Sequence, residues 1–166
     1  LRRLKNGQLY SPQYIESRLR FSPYIKDLLV VGGKDHDYVS TIVNIDMDNV
    51  GRWAEKRKLA YTSYADISQK PEVIELIKKE FIRVNLRVPE GSRVQKFINM
   101  HKEFDADDAE LTRTRKIKRD FMEERYSQMI SALYSGASEL SVEAPVTYRD
   151  GRKSTIKTIV KINTVI

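Results

Sequence analysis

The sequence predicts a small α+β domain: a mixed sheet flanked by helices, with a C-terminal β-hairpin extension. Two β-rich runs at 25–31 and 38–45 predict an antiparallel pair, and apolar residues recur at helical spacing from Val73 to Val88. After Gly136 the pattern returns to β-type alternation. A hairpin followed by helices and a later strand favours an α+β fold over a doubly wound sheet.

The first elements are predicted from capping and alternation. Ser11 before Pro12 marks the start of a helix over 12–20, with Ile15 and Leu19 on its buried face. The two β-rich runs are joined by a loop at 32–37 that is longer than a tight hairpin turn.

The next elements are helical. Asp48 or Asn49 is the expected cap of a helix that reaches about residue 58, with Trp53 as its anchor in the core. The clearest helical stripe predicts a helix over 71–88. The residues of that stripe are Val73, Ile77, Phe81, Val84 and Val88.

The second half is predicted to hold a strand, a long loop, a helix and a hairpin. We expect the strand over 94–100 and the loop over 102–115. Alternation at 142–148 and 156–165, with an Asp150-Gly151 turn, predicts the hairpin. The helix between the long loop and the hairpin should end before Gly136. Its expected markers are Ile117, Phe121, Tyr126, Met129 and Leu133.

Composition excludes several classes of protein. The chain has 166 residues, a net charge of +7, 40% hydrophobic residues and no cysteine. One domain is the expectation for this length. A disulfide scaffold, a thiolate zinc site and a thiol nucleophile are excluded. No apolar run approaches the ~18 residues that a membrane-spanning helix needs. Because the sequence begins at Leu1, we interpret it as a cut through a longer polypeptide.

The usual catalytic motifs are absent, and the chain by itself looks catalytically incomplete. Neither a P-loop nor a dinucleotide-binding fingerprint occurs. Gly32-Gly33 fits a turn. His36, between two aspartates, is interpreted as part of a solvated turn, and His101 has no neighbours spaced as metal ligands. No metal site is predicted.

A reversal of charge is the most distinctive local feature. Residues 103–110 carry five acids and no base, and residues 112–119 carry five bases and no acid. One interpretation is a solvated loop that leads into a helix. However, basic residues in the first turn of a helix oppose its dipole. The alternative is that arginine and lysine gather there to bind an anionic phosphate or carboxylate.

Two stretches resemble motifs of the AMP-forming adenylating enzymes, the superfamily of acyl-CoA synthetases, luciferases and peptide-synthetase adenylation domains. NGQLYSPQYIE at 6–16 is similar to their hinge-proximal motif, and LTRTRKIKR at 111–119 is similar to their last core motif in its long-chain fatty acid form. KPEVIELI is also typical of bacterial long-chain acyl-CoA synthetases. The resemblance covers about 1–136, which we expect to be the mobile C-terminal domain, with 137–166 as the hairpin extension.

The resemblance implies a two-step ligase. ATP and a fatty acid would form an acyl-adenylate and pyrophosphate, and CoA would then displace AMP. The partner would be the enzyme's own N-terminal adenylation domain, which is absent from this chain and would bind most of the ATP and Mg²⁺. The isolated chain is therefore expected to be inactive. We also expect a cytoplasmic location, possible contact with the inner face of the membrane and no nucleic-acid partner.

For the first half-reaction, the resemblance assigns Lys116 as the adenylation lysine. Its flexible stem and compact cation suit contact with the fatty acid carboxylate and the phosphate oxygens. Thr114, Arg115 and Arg119 are further candidates for substrate or phosphate contact. The competing interpretation of Lys116 is a surface lysine at the start of a helix.

For the second half-reaction, Gly7 matches the glycine that lines the CoA channel, with Asn6 and Gln8 beside it. Without a side chain, Gly7 would let a thin ligand approach the backbone. The family usually has glycine in place of Asn6, which would be tolerated at a positive φ because asparagine adopts it more readily than most residues. A turn glycine is the competing interpretation. Glu16 is expected to serve structure and not chemistry.

Two other functions stay open. The positive charge could support a basic nucleic-acid-binding module, although no aromatic residue is interleaved in TRTRKIKR. The chain could also be a non-catalytic interaction module. A basic terminal hairpin could, in addition, contact an anionic membrane.

Overall fold

The computed structural model describes residues 1–105, 112, 114, 116–147 and 150–166, with the backbone alone for 144–147. This part of the chain forms a two-stranded pair, a five-stranded mixed sheet and six α-helices, which confirms the predicted α+β class. The strands are β1 (Arg2–Arg3), β2 (Leu9–Tyr10), β3 (Ile25–Val31), β4 (Val39–Ile45), β5 (Val94–Asn99), β6 (Glu139–Thr147) and β7 (Lys153–Thr164). The helices are α1 (Pro12–Arg20), α2 (Met47–Lys56), α3 (Tyr64–Ser68), α4 (Pro71–Asn85), α5 (Arg119–Arg125) and α6 (Ser127–Tyr134).

The sheet has the strand order β3-β4-β5-β7-β6. β3 and β4 are antiparallel, whereas β4 and β5 are parallel, so the chain crosses one face through α2, α3 and α4 before it returns. The predicted terminal hairpin forms, and its second strand, β7, pairs with β5 through residues 162–164. The hairpin therefore continues the main sheet.

Side chains that alternate along β3 separate two hydrophobic cores. Leu28 and Val30 pack in the core shared with α1, α2 and α4. Leu29 and Val31 pack in the second core, beneath α5 and α6. This follows from the period of two in a strand, which sends successive side chains to opposite faces. None of the helices described is long and apolar enough to cross a membrane.

Helix α1 has the predicted bounds. The Ser11 side chain accepts a hydrogen bond from the backbone N–H of Tyr14, and Pro12 occupies the first turn. Ile15 and Leu19 are buried, as expected.

The bounds of α2 and α4 differ from the prediction. Asp46, not Asp48 or Asn49, caps α2 by accepting from the N–H of Asn49 at 3.0 Å, and the helix ends at Lys56. Trp53 is only partly buried and packs against the edge of the core. Helix α4 ends at Asn85, short of the predicted residue 88.

The predicted helix at 117–135 is also corrected. It begins at Arg119 and divides into α5 and α6 at Tyr126. Phe121, expected on the buried stripe, is 40% exposed, because Met122 takes the buried position in α5. Much of the predicted 102–115 loop, including Leu111, lies outside the described residues.

A buried carboxylate connects the two faces of the sheet at its β3 edge. Glu16, on α1, accepts from the N–H of Val30 at 2.8 Å and from Arg119 Nη2 at 2.6 and 2.8 Å. Arg119, at the start of α5, also donates from Nη1 to the carbonyl of Val30 at 2.8 Å. The N–H and the carbonyl of Val30, on an edge strand, are thereby satisfied by side chains from both layers. We call this arrangement the Glu16–Arg119 clamp.

A second ion pair reinforces the attachment of α5. Arg2, in β1, donates from both terminal nitrogens to the carboxylate of Glu123, with the longer bond at 2.9 Å. Glu123 lies one helical turn after Arg119, so the two contacts fall on the same side of α5. The first sixteen residues therefore hold the start of α5 at two points.

We predict that Arg119→Lys destabilises the fold by about 2–3 kcal/mol, because an ammonium group cannot reproduce a guanidinium that bridges a carboxylate and a carbonyl. The matched control is Arg83→Lys, which alters an exposed arginine–glutamate pair with Glu80. That control should change the free energy of unfolding by less than about 0.5 kcal/mol. Urea denaturation measures both values, and equal costs would contradict a structural role for the clamp.

We also predict that His101 makes stability depend on pH. Its side chain is buried, and burial, followed by the charge of Lys102, lowers the pKa of His101 to about 4. The unfolded chain should protonate near pH 6.5. Folding thus favours the neutral ring, and the contribution is present above about pH 6.5 and is lost as pH falls towards 4.

The test of this prediction is the substitution His101→Gln. The difference in unfolding free energy between about pH 7 and about pH 4.5 should be about 2 kcal/mol smaller in the variant than in the unmodified protein. Urea denaturation at both pH values measures it. The same acid sensitivity in both proteins would refute the assignment to His101.

Candidate functional site

The turn that carries Lys116 is closed by two hydrogen bonds between Lys116 and Thr112. The N–H of Thr112 donates to the carbonyl of Lys116 at 2.7 Å, and the N–H of Lys116 donates to Thr112 Oγ1 at 3.0 Å. The hydroxyl of Thr114 lies 3.1 Å from that of Thr112. Local bonds thus fix the backbone of Lys116 without using its side chain.

The side chain of Lys116 is exposed and has no hydrogen-bond or ion-pair partner among the described residues. Arg119, three residues later, is instead held by the Glu16–Arg119 clamp. The expected catalytic lysine and the further candidate Arg119 therefore differ in their surroundings. Among the described residues Lys116 contacts no anion, whereas Arg119 contacts Glu16, which favours a structural role for Arg119.

Of the two other candidates near Lys116, the structure describes only one. Thr114 is exposed, and its hydroxyl contacts that of Thr112, so it shares the same surface as Lys116. Arg115 lies outside the described residues.

The second group of candidates forms the turn between β1 and β2. Gly7 has a φ of +91°, a value that favours glycine, and a Cβ built there would meet no atom within 4 Å. Its N–H donates to the carbonyl of Leu4 at 2.9 Å. The turn therefore presents open backbone at Gly7, as an approaching ligand would require.

The neighbours of Gly7 shape the turn. Asn6 Oδ1 accepts from the N–H of Gln8 at 2.9 Å, so asparagine stabilises the turn through its side chain. Lys58 is the one non-glycine residue in the described chain with a positive φ, so the position of Asn6 does not require one. The Gln8 side chain lies against Gly91, where an added Cβ would come within 2.6 Å of its Oε1.

A cavity of about 320 Å³ lies near this turn. It is lined by the Arg2–Glu123 pair, the Gly32-Gly33 loop, His36 and residues of α6. A backbone hydrogen bond joins the turn at 6–8 to the loop at 32–37: the N–H of Lys5 donates to the carbonyl of His36 at 3.0 Å.

His36 is more enclosed than expected for a residue in a solvated turn. Its ring stacks on Tyr134 at 3.8 Å, and Nδ1 accepts from the N–H of Gly33 at 3.0 Å. Burial lowers the pKa of His36, which favours the neutral ring, and a ring that accepts at Nδ1 carries its proton on Nε2. No local pattern predicts this contact, because Tyr134 lies almost one hundred positions away in the chain.

The structure thus arranges the candidates in two groups. Asn6, Gly7 and Gln8 share one turn, and Lys116 and Thr114 share another. The contacts that connect the segments carrying them are the Glu16–Arg119 clamp and the Arg2–Glu123 pair. Among the residues described, no three acidic, histidine or cysteine side chains group as a metal site.

Comparisons with curated proteins identify relatives in two mycobacteria. The chain is 29% identical over 130 residues to the long-chain-fatty-acid–CoA ligase FadD15 of Mycobacterium tuberculosis, and the same holds for FadD15 of Mycobacterium bovis. Each match covers 78% of this chain and 22% of the relative. The chain thus spans about a fifth of the length of these ligases.

Solved structures share the fold at lower identity. The A-PCP didomain of a carboxylic acid reductase from Segniliparus rugosus, in complex with AMP, matches with a TM-score of 0.63 and 16% identity. The adenylation domain of a carboxylate reductase from Mycobacterium chelonae matches with a TM-score of 0.63 and 19% identity. Both matches cover 80% of this chain, and they cover 17% and 19% of the respective structures.

A family model gives the most extensive match. The model described as the C-terminal domain of AMP-binding enzymes matches residues 3–138, which include both candidate turns and the clamp between them. The chain therefore belongs to the family of AMP-binding enzyme C-terminal domains.

Proposed function

We propose that this chain is the C-terminal lid domain of a long-chain fatty acid–CoA ligase, which converts ATP, a fatty acid and CoA to acyl-CoA, AMP and pyrophosphate. Family membership and the similarity to FadD15 support this reaction class. The observation that carries the proposal is the exposed Lys116 on a turn whose backbone is already fixed.

In the first half-reaction, the Lys116 ammonium would contact the fatty acid carboxylate and the α-phosphate of ATP. Both groups are anionic, and a cation between them reduces the repulsion that opposes their approach. Because hydrogen bonds between Thr112 and Lys116 hold the turn, the lysine would enter the site with little loss of backbone entropy. Thr114 would offer a hydroxyl beside it.

In the second half-reaction, the open backbone at Gly7 would line the path of the pantetheine arm of CoA. The absence of a side chain allows the arm to pass close to the turn, while Asn6 and Gln8 maintain its shape. The role of Arg115 as a phosphate contact rests on the motif alone, and the contacts of Arg119 support the clamp instead.

The rest of the reaction would depend on an N-terminal adenylation domain in the same polypeptide. That domain would bind the acyl chain and most of the ATP with its Mg²⁺. We propose a cytoplasmic enzyme on the basis of its substrates. The solved structures with the same fold come from carboxylic acid reductases, so the use of CoA is the part of the proposal that most needs a test.

The first test is Lys116→Ala in the full-length ligase. We expect adenylate formation, measured as pyrophosphate release, to fall by about 10²- to 10³-fold, because a preorganised charge partner of the transition state is lost. Thioester formation from preformed acyl-adenylate should be largely spared. Lys118→Ala is the matched control, since Lys118 is also exposed and lies two residues away. Equal loss in both half-reactions, or an equal effect of the control, would count against the role of Lys116.

The second test places a leucine at Gly7 in the same ligase. Gly7→Leu should slow thioester formation with CoA by about tenfold or more and leave adenylation nearly unchanged, because the side chain would fill the proposed channel. Gly136→Leu is the control: Gly136 has a φ of +80° and equally open surroundings, so backbone strain is matched. An unchanged rate with CoA, or the same loss from Gly136→Leu, would refute the channel.

A further inference from the structure

A groove lies between the segment before β3 and the outer side of α2. Its volume is about 450 Å³, and the residues that line it come from 23–24 and 49–57. We call it the α2 groove. Its lining includes three cations, Arg52, Lys56 and Arg57, and two aromatic rings, those of Tyr24 and Trp53.

Helical spacing brings the cations to one side of α2. Arg52 and Lys56 are four residues apart, so their side chains are neighbours on the helix surface. Arg57, the C-cap residue, adds a third cation at the end of the helix. Val50 and Ala54 occupy the opposite, buried side. The solvent-facing side of one helix therefore forms a basic wall of the groove.

The α2 groove is positively charged. None of its three cations forms an ion pair with another described residue. The acidic residues of α2, Asp48 and Glu55, are not among those that line the groove. The lining thus presents positive charge without a carboxylate of its own, which favours an anionic ligand.

Neutral partners hold two of the cations in place. The guanidinium of Arg57 lies over the indole ring of Trp53, with Cζ 4.3 Å from the ring centroid, and donates to the Trp53 carbonyl at 3.3 Å. Arg52 donates to Oδ1 of Asn49, whose amide group donates to the carbonyl of Pro23 at 2.8 Å. Among the described residues, these bonds use one donor of each guanidinium, which has five. The other donors form a planar fork that suits the paired oxygens of a phosphate group.

We propose that the α2 groove binds a small ligand that carries adjacent phosphate groups, either as inorganic diphosphate or as the diphosphate of a nucleotide. Three cations within one groove suit a ligand whose negative charges are equally close together. The two guanidinium groups are already held in position, so they lose less side-chain entropy on binding than unrestrained ones would. The volume of the groove lies in the range of small-molecule sites.

The sole tryptophan of the chain reports on this groove. Trp53 is the one tryptophan among the 166 residues, so its fluorescence responds to events at α2. A phosphate that engages Arg57 should shift the guanidinium over the indole ring and change the emission. None of the residues that line the groove belongs to the turns at 6–8 and 112–116. The proposal therefore does not depend on the ligase activity, and binding can be measured without turnover.

The test is titration of this chain with pyrophosphate, ADP and adenosine, followed by calorimetry and by the fluorescence of Trp53. We expect pyrophosphate and ADP to bind and to change the fluorescence, and adenosine, which has no phosphate, to do neither. Binding should weaken as the salt concentration rises. Tighter binding of ADP than of pyrophosphate would assign the ligand to the nucleotides, and equal binding would assign it to the inorganic phosphates.

Two variants test the cations of the groove. Arg52→Gln/Lys56→Gln, which keeps the stack of Arg57 on Trp53, should weaken the binding of pyrophosphate about tenfold or more. Arg57→Lys keeps the charge but loses the planar fork, and it should weaken binding severalfold. Because these three side chains are exposed, urea denaturation should show little change in the free energy of unfolding.

A control variant separates the groove from the overall charge of the chain. Lys153→Gln/Lys157→Gln removes two charges from the terminal hairpin, where both lysines are exposed, and it should bind pyrophosphate as the unmodified chain does. The proposal is overturned if neither pyrophosphate nor ADP binds or if binding leaves the fluorescence of Trp53 unchanged. It is also overturned if the hairpin variant loses as much affinity as Arg52→Gln/Lys56→Gln.

Discussion

The carboxylate of Glu16 is the point at which three parts of the chain are held together. It joins α1 to the outer edge of β3 and to Arg119 at the start of α5. With 4% of its surface exposed, Glu16 needs these donors, since a buried charge without partners is costly. The position of α5, and hence of the turn that precedes it, depends on this contact.

The clamp explains part of the basic run that opposes the dipole of α5. Arg119 is compensated by Glu16, and Asp120 adds an acid to the first turn. Lys116 has no such compensation among the residues described. The proposed role requires that the charge of Lys116 can enter an active site. A lysine that contributes little to local stability, and whose turn is held in place, meets this requirement.

The elements with strong local signals were predicted from the sequence. The Ser11-Pro12 start fixed α1, and the β-rich runs gave the β3–β4 pair, because caps and alternation act between near neighbours. The break at Tyr126 was missed, since the apolar stripe continues from α5 into α6. The pairing of β7 with β5 has no local signal either, because it joins residues more than sixty positions apart.

The candidate site, too, combines local features that the sequence predicts with tertiary contacts that it does not. Lys116 and Gly7 could be named from motifs, but the exposure of one and the open space around the other depend on how the turns are closed. The stack of His36 on Tyr134 and the contact between Glu16 and Arg119 are tertiary. From the sequence alone, Arg119 is a further candidate for phosphate contact beside Lys116, and its contact with the buried Glu16 is what favours a structural role instead.

The most direct measurement of the clamp is a double-mutant cycle with Glu16→Gln, Arg119→Gln and the combined variant, followed by urea denaturation. If the two side chains act as one unit, the combined loss in unfolding free energy should be smaller than the sum of the single losses by about 2 kcal/mol. Losses that simply add would show that α5 is held by other contacts and would contradict the account.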